Sequence, residues 1–338
     1  MLEQLKNAAQ HITSINSKTR ECAEDIRKKN PKLKEGLEKE IITTTKKIKI
    51  NKKIGAVDCG ILSKEMQGID LIIGRPAGVI FQYENSKLKK TEYYPKSFPE
   101  PKYEVKFGLD EFGSLAFKNL YRLNLEISCA IELIEKYDLE IILLDGSVSI
   151  LAQDRPNEES GLMELYIQVI NLYKKLYQIC KDKNILLIGV VKDSKGKRFL
   201  DELNEKDKIN SSDTIFLDYL LKKDERTCAI RLTKEPKKHP VFKDLGEWAE
   251  KLNLFYIKPV ENDRPVRIEF LGDDYETIAS VIQTLSAINQ NYAYPAILIE
   301  VDLRSMIDFK EMERMEKTLF MLSGAGFSPL KRNSRPFR

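Results

Sequence analysis

Three acidic residues stand where their carboxylates can do chemistry. Asp58 lies inside the apolar strand segment AVDCG, where burial of a bare carboxylate costs free energy. Asp145 closes the apolar run LEIILLD, and open α/β sheets usually bind ligands at the carboxyl ends of such strands. Glu126 lies on the helix between them, and Leu123 and Cys129, three residues away on either side, predict a largely inward face.

If they converge at one edge of a sheet, these acids form an oxygen-rich pocket suited to Mg²⁺ or Mn²⁺. Two such ions can activate a water molecule and stabilise the leaving oxygen when a phosphodiester is hydrolysed. Each acid also has a plain structural interpretation. Asp58 or Asp145 can cap a turn, and Glu126 can pair with Arg122. Their joint placement on these elements favours the metal site.

The other reactive residues offer little alternative chemistry. The two histidines, His11 and His239, are far apart in sequence, which leaves little room for histidine-based acid–base catalysis. The cysteines are odd in number, scattered and free of CxxC pairs, which argues against a zinc site or a disulfide framework and favours a reduced, cytoplasmic setting. They are Cys22, Cys59, Cys129, Cys180 and Cys228.

The composition is that of an ordinary globular chain with a high charge density. Hydrophobic residues make up 42% of its 338 residues and charged residues 32%, enough to build a sizeable core. The net charge of +4 does not by itself indicate a nucleic-acid partner. Since no apolar run is long enough to span a bilayer and the N-terminus lacks a secretory signal, we expect no membrane association.

The elements that must position the acids follow an α/β order. The first part of the chain predicts a meander of strands. It consists of a strand at 54–61, two strands joined by a Gly/Pro turn within 68–83, and a further strand at 102–107 after a loop at 91–101. A helix at 113–137, a strand at 139–145, a helix at 162–181 and a strand at 185–191 come next. The predicted fold class is α/β, with the mixed sheet of a ribonuclease H-like core.

The rest of the chain predicts additions to this core. Residues 1–53 are interpreted as a helical, basic extension, in which the lysine-rich end of the segment is either a solvated face or a DNA or partner contact. Residues 54–330 are interpreted as one domain that includes a C-terminal α/β addition, and residues 331–338 as a basic tail. The elements predicted in the addition are a helix at 213–222, strands at 227–232, 254–258 and 266–270, and helices at 275–289 and 308–322.

At these acids the sequence resembles the NurA family of archaeal nucleases. The resemblance begins with AVDCG, RLNLE and LLDGS, and continues through IGVVKDS, SSDTIFLDYLL and YPAILIEVDLR in the family's order, over about 250 residues. It implies a homodimeric, Mn²⁺-preferring nuclease, with Mg²⁺ possible, that acts on single- and double-stranded DNA. It also implies 5′–3′ exonuclease and single-strand endonuclease activity, and a role in double-strand break end resection with the HerA-type hexameric ATPase.

The family's site residues fall on Asp58, Glu126, Asp145 and Tyr294 of this sequence. A family histidine eight residues after the tyrosine is replaced by Asp302. We hypothesise that Asp302 completes the metal site with the other three acids, since aspartate is itself a good Mn²⁺ or Mg²⁺ ligand. The first motif also departs from the frequent Asp-Gly-Ser, because Cys59 and Gly60 follow Asp58.

A basic segment after the strand at 185–191 is a candidate for substrate binding. Lys192, Lys195 and Arg198 could meet a phosphate backbone, although an ordinary basic loop explains them equally well. Two rival functions stay open at this point. The departures in the motifs motivate the first rival, a DNA- or HerA-binding adaptor that has lost catalysis. The second rival is a ribonuclease or guide-dependent nuclease on the same core.

Overall fold

The computed structural model describes residues 1–66, 68–205 and 209–324, so the predicted tail 331–338 lies outside the described residues. The chain divides into two compact units. One, here called the flanking unit, comprises Met1–Asn51, Gly146–Val148 and Leu186–Ala296. The other, here called the acidic unit, comprises Lys52–Asp145, Ser149–Ile185 and the residues from Ile297 on. Residues 1–51 thus share a compact unit with residues 186–296.

The strands of the described residues, in chain order, are β1 (Ile42–Thr44), β2 (Lys53–Glu65), β3 (Ile69–Glu84), β4 (Lys87–Tyr94), β5 (Lys102–Phe107), β6 (Ile141–Leu144), β7 (Leu186–Val191), β8 (Glu225–Thr227), β9 (Ile230–Arg231), β10 (Leu252–Lys258) and β11 (Val266–Leu271). The α-helices are α1 (Leu2–Lys29), α2 (Glu111–Lys136), α3 (Met163–Asp182), α4 (Arg198–Glu202), α5 (Asp213–Leu220), α6 (Phe242–Leu245), α7 (Tyr275–Ser286), α8 (Ala296–Ser305) and α9 (Phe309–Ser323).

In the acidic unit the strands pair in the order β6, β2, β3 and β4, and β5 also pairs with β3. The pairs among β2, β3, β4 and β5 are antiparallel, whereas β6 runs parallel to β2. Along the chain, β2 to β5 are followed by α2, β6, α3 and β7. The mixed α/β fold with the ribonuclease H-like order of elements is confirmed.

The prediction of two strands within 68–83 is wrong, because β3 runs unbroken through Gly74 and Pro76. The glycines here serve packing and not a turn. A Cβ atom on Gly74 would lie 2.4 Å from Leu125 Cδ1 of α2, and one on Gly55 of β2 would lie 2.6 Å from Leu139 Cδ1. Since real Cβ atoms do not approach neighbours so closely, glycine is what lets these apolar side chains pack on the sheet.

In the flanking unit β1, β8, β10, β11 and β7 pair in that order, all antiparallel, and β9 also pairs with β10. The sequence predicts a helix over most of residues 1–50, but α1 ends at Lys29. Asn30 takes the left-handed conformation, with φ 43°, and its backbone N–H bonds to the Ile26 carbonyl, as in a common helix stop. Pro31 follows and cannot continue the helix.

The remaining compositional expectations concern cysteines and membranes. All five cysteines carry free thiols, and four of them are buried. None of the helices within the described residues is long and apolar enough to cross a lipid bilayer.

Candidate metal centre

The register of two parallel strands brings Asp58 and Asp145 together. Val57 of β2 pairs with Leu144 of β6, and Asp58 and Asp145 are the residues that follow each of them. The backbone N–H of Asp145 donates to the Val57 carbonyl at 3.3 Å, which continues the ladder to the end of β6. Two carboxylates are therefore held side by side at one point of the acidic unit's sheet.

A third carboxylate comes from α8, a helix that the sequence reasoning missed. One carboxylate oxygen each from Asp58, Asp145 and Asp302 lie within 4.8 Å of one another. Asp58 is buried, Asp145 half-buried and Asp302 exposed. This cluster, here called the acidic triad, therefore has a closed side at the sheet and an open side at α8.

Three contacts hold α8 and the turn after it against the strands of the acidic unit. Ser305, the last residue of α8, donates its hydroxyl hydrogen to Asp58 Oδ2 at 2.5 Å. The Tyr93 hydroxyl of β4 donates to Glu300 at 2.9 Å. Arg75 of β3 donates to the Met306 carbonyl oxygen. Asp302 therefore lies on a helix that, with the turn after it, is hydrogen-bonded to three strands of the sheet: β2, β3 and β4.

The structure gives a physical reason for glycine at position 60. A Cβ atom at this position would lie 2.1 Å from the Ser305 carbonyl oxygen. Only glycine therefore lets the end of α8 come this close to β2. Ser305 itself was missed by the sequence reasoning, and the available signal was its spacing of three residues after Asp302, on the same helix.

Glu126 lies beside the acidic triad on α2. Its side chain is only 3% exposed and accepts a hydrogen bond from Arg122 Nη1. Burial raises the pKa of Glu126 to about 8, Arg122 opposes that rise, and the charges of Asp58 and Asp145 add to it. Burial also raises the pKa of Asp58, the Ser305 hydroxyl counters it, and the Asp145 charge adds to it. Burial is the main cause of both shifts, and the charges of neighbouring carboxylates add to it.

These residues fit a hard divalent cation. The donor set is made of carboxylate oxygens, the ligands that Mg²⁺ and Mn²⁺ prefer. Burial raises the pKa of Asp58 and of Glu126, so their charged forms call for compensation by a nearby positive charge. A divalent cation would supply that compensation, with Asp58, Asp145 and Asp302 as its ligands and Glu126 adjacent.

The predicted Tyr294 and Lys192 belong to the flanking unit. Tyr294 is 4% exposed, its hydroxyl donates to the Val190 carbonyl at 3.4 Å, and the Lys192 ammonium lies 4.3 Å from the centre of its ring. Lys192 itself is exposed. The two residues border a cavity of about 180 Å³. Its lining includes Lys192, Thr214, Asp263, Arg264, Tyr292 and Tyr294.

The two other predicted substrate-binding residues differ in their environment. Lys195 is exposed, as a phosphate contact requires. Arg198 is 11% exposed and pairs with Glu202 at 3.0 Å and with Glu35 at 3.1 Å. Its Nε donates to the Arg231 carbonyl at 3.1 Å. Since protein acceptors occupy its guanidinium, Arg198 serves the packing of α4 in this geometry.

This mixed α/β core, with its ribonuclease H-like order of elements, brings a carboxylate inside β2 beside one that directly follows the end of β6. Acids clustered in this way on such a core can hold divalent cations that catalyse phosphodiester hydrolysis. Glu126 on the following helix and Asp302 on α8 complete the acidic surroundings of the pair formed by Asp58 and Asp145.

The chain belongs to the NurA family, since the family's NurA domain matches residues 52–305. It is similar in fold to the NurA nuclease from Sulfolobus solfataricus, with a TM-score of 0.60 and 16% identity over 94% of each chain. It is also similar to a NurA structure with manganese, with a TM-score of 0.59 and 11% identity over 95% of this chain and 98% of the other. A NurA structure bound to dAMP and manganese gives a TM-score of 0.58 and 11% identity over 91% and 95%. Among curated proteins no sequence matches significantly.

Proposed function

We propose that this protein is a metal-dependent deoxyribonuclease that uses Mn²⁺, or Mg²⁺, held by Asp58, Asp145 and Asp302. The observation that carries the proposal is the approach of these three carboxylates to within 4.8 Å in a NurA-family fold. Related NurA structures contain manganese, and one contains dAMP as well. The bound cations would activate the attacking water and stabilise the leaving oxygen of the phosphodiester.

Four residues around the acidic triad have different proposed roles in metal binding. Asp58 is fixed by the Ser305 hydroxyl, so its carboxylate is oriented before substrate arrives. Asp302 occupies the exposed side of the triad, where DNA can approach. We propose that it replaces the histidine that the family resemblance implies at this position. Glu126 is the adjacent buried acid, and we propose that it completes the coordination.

DNA contact is proposed for Tyr294, Lys192 and Lys195 in the flanking unit. Lys192 and Lys195 are exposed cations that can pair with phosphates without sequence preference. Tyr294 and Lys192 border the same cavity, whose aromatic and basic lining suits a nucleotide. Arg198 is left out of this proposal because its donors are already bonded.

The cellular role is proposed from family membership. We infer cytoplasmic 5′–3′ exonuclease and single-strand endonuclease activity in double-strand break end resection, with a homodimer working beside a HerA-type ATPase. The support is the match of the NurA domain to residues 52–305 and the motifs of the sequence. Co-purification of the chain with a HerA-type ATPase and light scattering of the purified protein test the two partners.

The decisive experiment is Mn²⁺-dependent degradation of end-labelled linear DNA. Wild type should cleave, and Asp58→Asn should lose cleavage while circular dichroism shows that it folds. Asp138→Asn, an exposed acid outside the site, is the matched control and should cleave normally. A wild type that binds DNA but cleaves nothing with either cation, or with an added ATPase, would support the catalytically impaired adaptor. Faster cleavage of RNA than of DNA would point to a ribonuclease.

A further inference from the structure

Arg122 lies one helical turn before Glu126 on α2 and places a positively charged side chain beside the acidic triad. Its Nη1 donates to Glu126, whose side chain is 3% exposed, while the Arg122 side chain is 30% exposed. The Arg122 charge opposes the rise that burial causes in the pKa of Glu126 and of Asp58. The Arg122 side chain therefore contacts the buried acid and is still partly accessible to solvent.

A second pair in this protein shows what the same spacing looks like in a purely structural setting. Arg198 and Glu202 are also four residues apart on a helix, and the Arg198 side chain is 11% exposed. All three of its nitrogen positions donate to protein acceptors: Glu202, Glu35 and the Arg231 carbonyl. The Arg122 guanidinium donates to Glu126 through one nitrogen, and its side chain is nearly three times as exposed.

We propose that Arg122 binds a phosphodiester oxygen of the DNA at the acidic site, through the guanidinium nitrogens that do not donate to Glu126. This inference rests on the proposed nuclease function and adds a residue to it. The ligand class is a phosphodiester, and the contact is a charge-assisted hydrogen bond.

The electrostatics of the site call for such a residue. Asp58, Asp145, Asp302 and Glu126 all carry or can carry negative charge, and a DNA phosphate adds another. A guanidinium beside them offsets the repulsion and stabilises the charge that develops on the phosphate oxygens. Its planar fork can hold a carboxylate on one side and a phosphate on the other, which the single ammonium of lysine does less well.

The contact is tested with Arg122→Gln and Arg122→Lys. Glutamine keeps a donor for Glu126 but has no charge, whereas lysine keeps the charge without the fork. Lys175→Gln is the matched control, because Lys175 is a half-exposed cation of the acidic unit that pairs with Glu135 on α2. Binding of a fluorescein-labelled single-stranded 20-mer is measured by anisotropy in Ca²⁺ across a KCl series. Mn²⁺ binding is measured in parallel by the EPR signal of the free ion.

For Arg122→Gln we expect the slope of log affinity against log salt to shrink by about 0.7, the value of one phosphate contact on a single strand. Mn²⁺ affinity should stay within about threefold of wild type, and single-turnover cleavage should fall by about 10²-fold. Arg122→Lys should restore the slope but not the full rate.

An unchanged salt slope in Arg122→Gln would overturn the proposal, and with lost Mn²⁺ affinity it would make Arg122 a positioning residue for Glu126. A slope that shrinks equally in Lys175→Gln would overturn it as well. Failure of wild type to cleave DNA would count against the nuclease itself. These failures are distinguishable, because the salt slope is measured without turnover.

Discussion

Asp58 and Asp145 are neighbours across a parallel strand pair, one residue beyond the point where Val57 pairs with Leu144. Parallel pairing holds two like charges beside each other through backbone hydrogen bonds, so side-chain rotation alone cannot separate them widely. The Asp145 charge adds to the burial that raises the Asp58 pKa. The backbone thus holds the carboxylates together against their own repulsion.

This crowding predicts a stability that depends on pH when no metal is present. Burial raises the pKa of Glu126 from 4.5 to about 8, so the folded state binds more protons than the unfolded state between these values. The free energy of unfolding should therefore fall as pH rises through that window. In Glu126→Gln the fall should be smaller, and at pH 9 in EDTA the variant should be more stable than wild type. Urea titrations at pH 5 and pH 9 measure both, and a wild type equally stable at the two values would contradict the prediction.

Loss of the Ser305 hydroxyl should weaken the metal site. In Ser305→Ala the Asp58 carboxylate loses a hydrogen bond that favours its charged form, so the pKa of Asp58 should rise further. Mn²⁺ binding should then need a higher pH, and the free energy of unfolding should fall by about 1 kcal/mol. Isothermal titration with Mn²⁺ between pH 5 and pH 8 checks the shift. Ser323→Ala, at the exposed end of α9, is the control and should leave the pH profile in place.

A side chain at position 60 should push α8 away from the sheet. The Cβ atom of Gly60→Ala would meet the Ser305 carbonyl at 2.1 Å, so either β2 or α8 must move. We expect the free energy of unfolding to fall by about 1–3 kcal/mol and Mn²⁺ affinity to drop. Gly161→Ala offers the comparison, because nothing lies within 4 Å of the added atom. If both variants bind Mn²⁺ as wild type does, the close approach of α8 does not matter for the site.

Asp302 should act as a metal ligand, and histidine at this position should partly replace it. Asp302→Ala should lower Mn²⁺ affinity by at least about tenfold and abolish cleavage, with the fold retained because the residue is exposed. Asp302→His should recover only part of both, since imidazole can coordinate a first-row divalent metal but suits Mn²⁺ less well than carboxylate does. The measurements are EPR of bound Mn²⁺ and cleavage of end-labelled DNA. Near-normal values for Asp302→Ala would remove the residue from the site.

Local sequence patterns predict most of the acidic unit. The alternation of apolar runs with helical periodicity locates α2, β6 and α3 within a few residues, and it places Asp58, Glu126 and Asp145 on the right elements. These features depend on burial patterns that are legible within a single element. The fold class follows from their order alone.

Long-range packing explains what the sequence patterns missed. Gly74 and Pro76 signal a turn in sequence, but β3 continues because Leu125 of α2 fills the space above Gly74. The helix α8 and the role of Ser305 depend on contacts with β2, more than 240 residues earlier in the chain. The end of α1, by contrast, has a local signal in the sequence, because Asn30 and Pro31 are residues that commonly end a helix.

The bond between Ser305 and Asp58 joins residues 247 positions apart. Asp58 is therefore synthesised well before Asp302 and Ser305. A nascent chain, or a fragment cut before α8, therefore carries the two strand acids without the helix that completes the triad. On the proposed function, cleavage of DNA requires synthesis through α8, so translation that stops before α8 leaves no active nuclease behind.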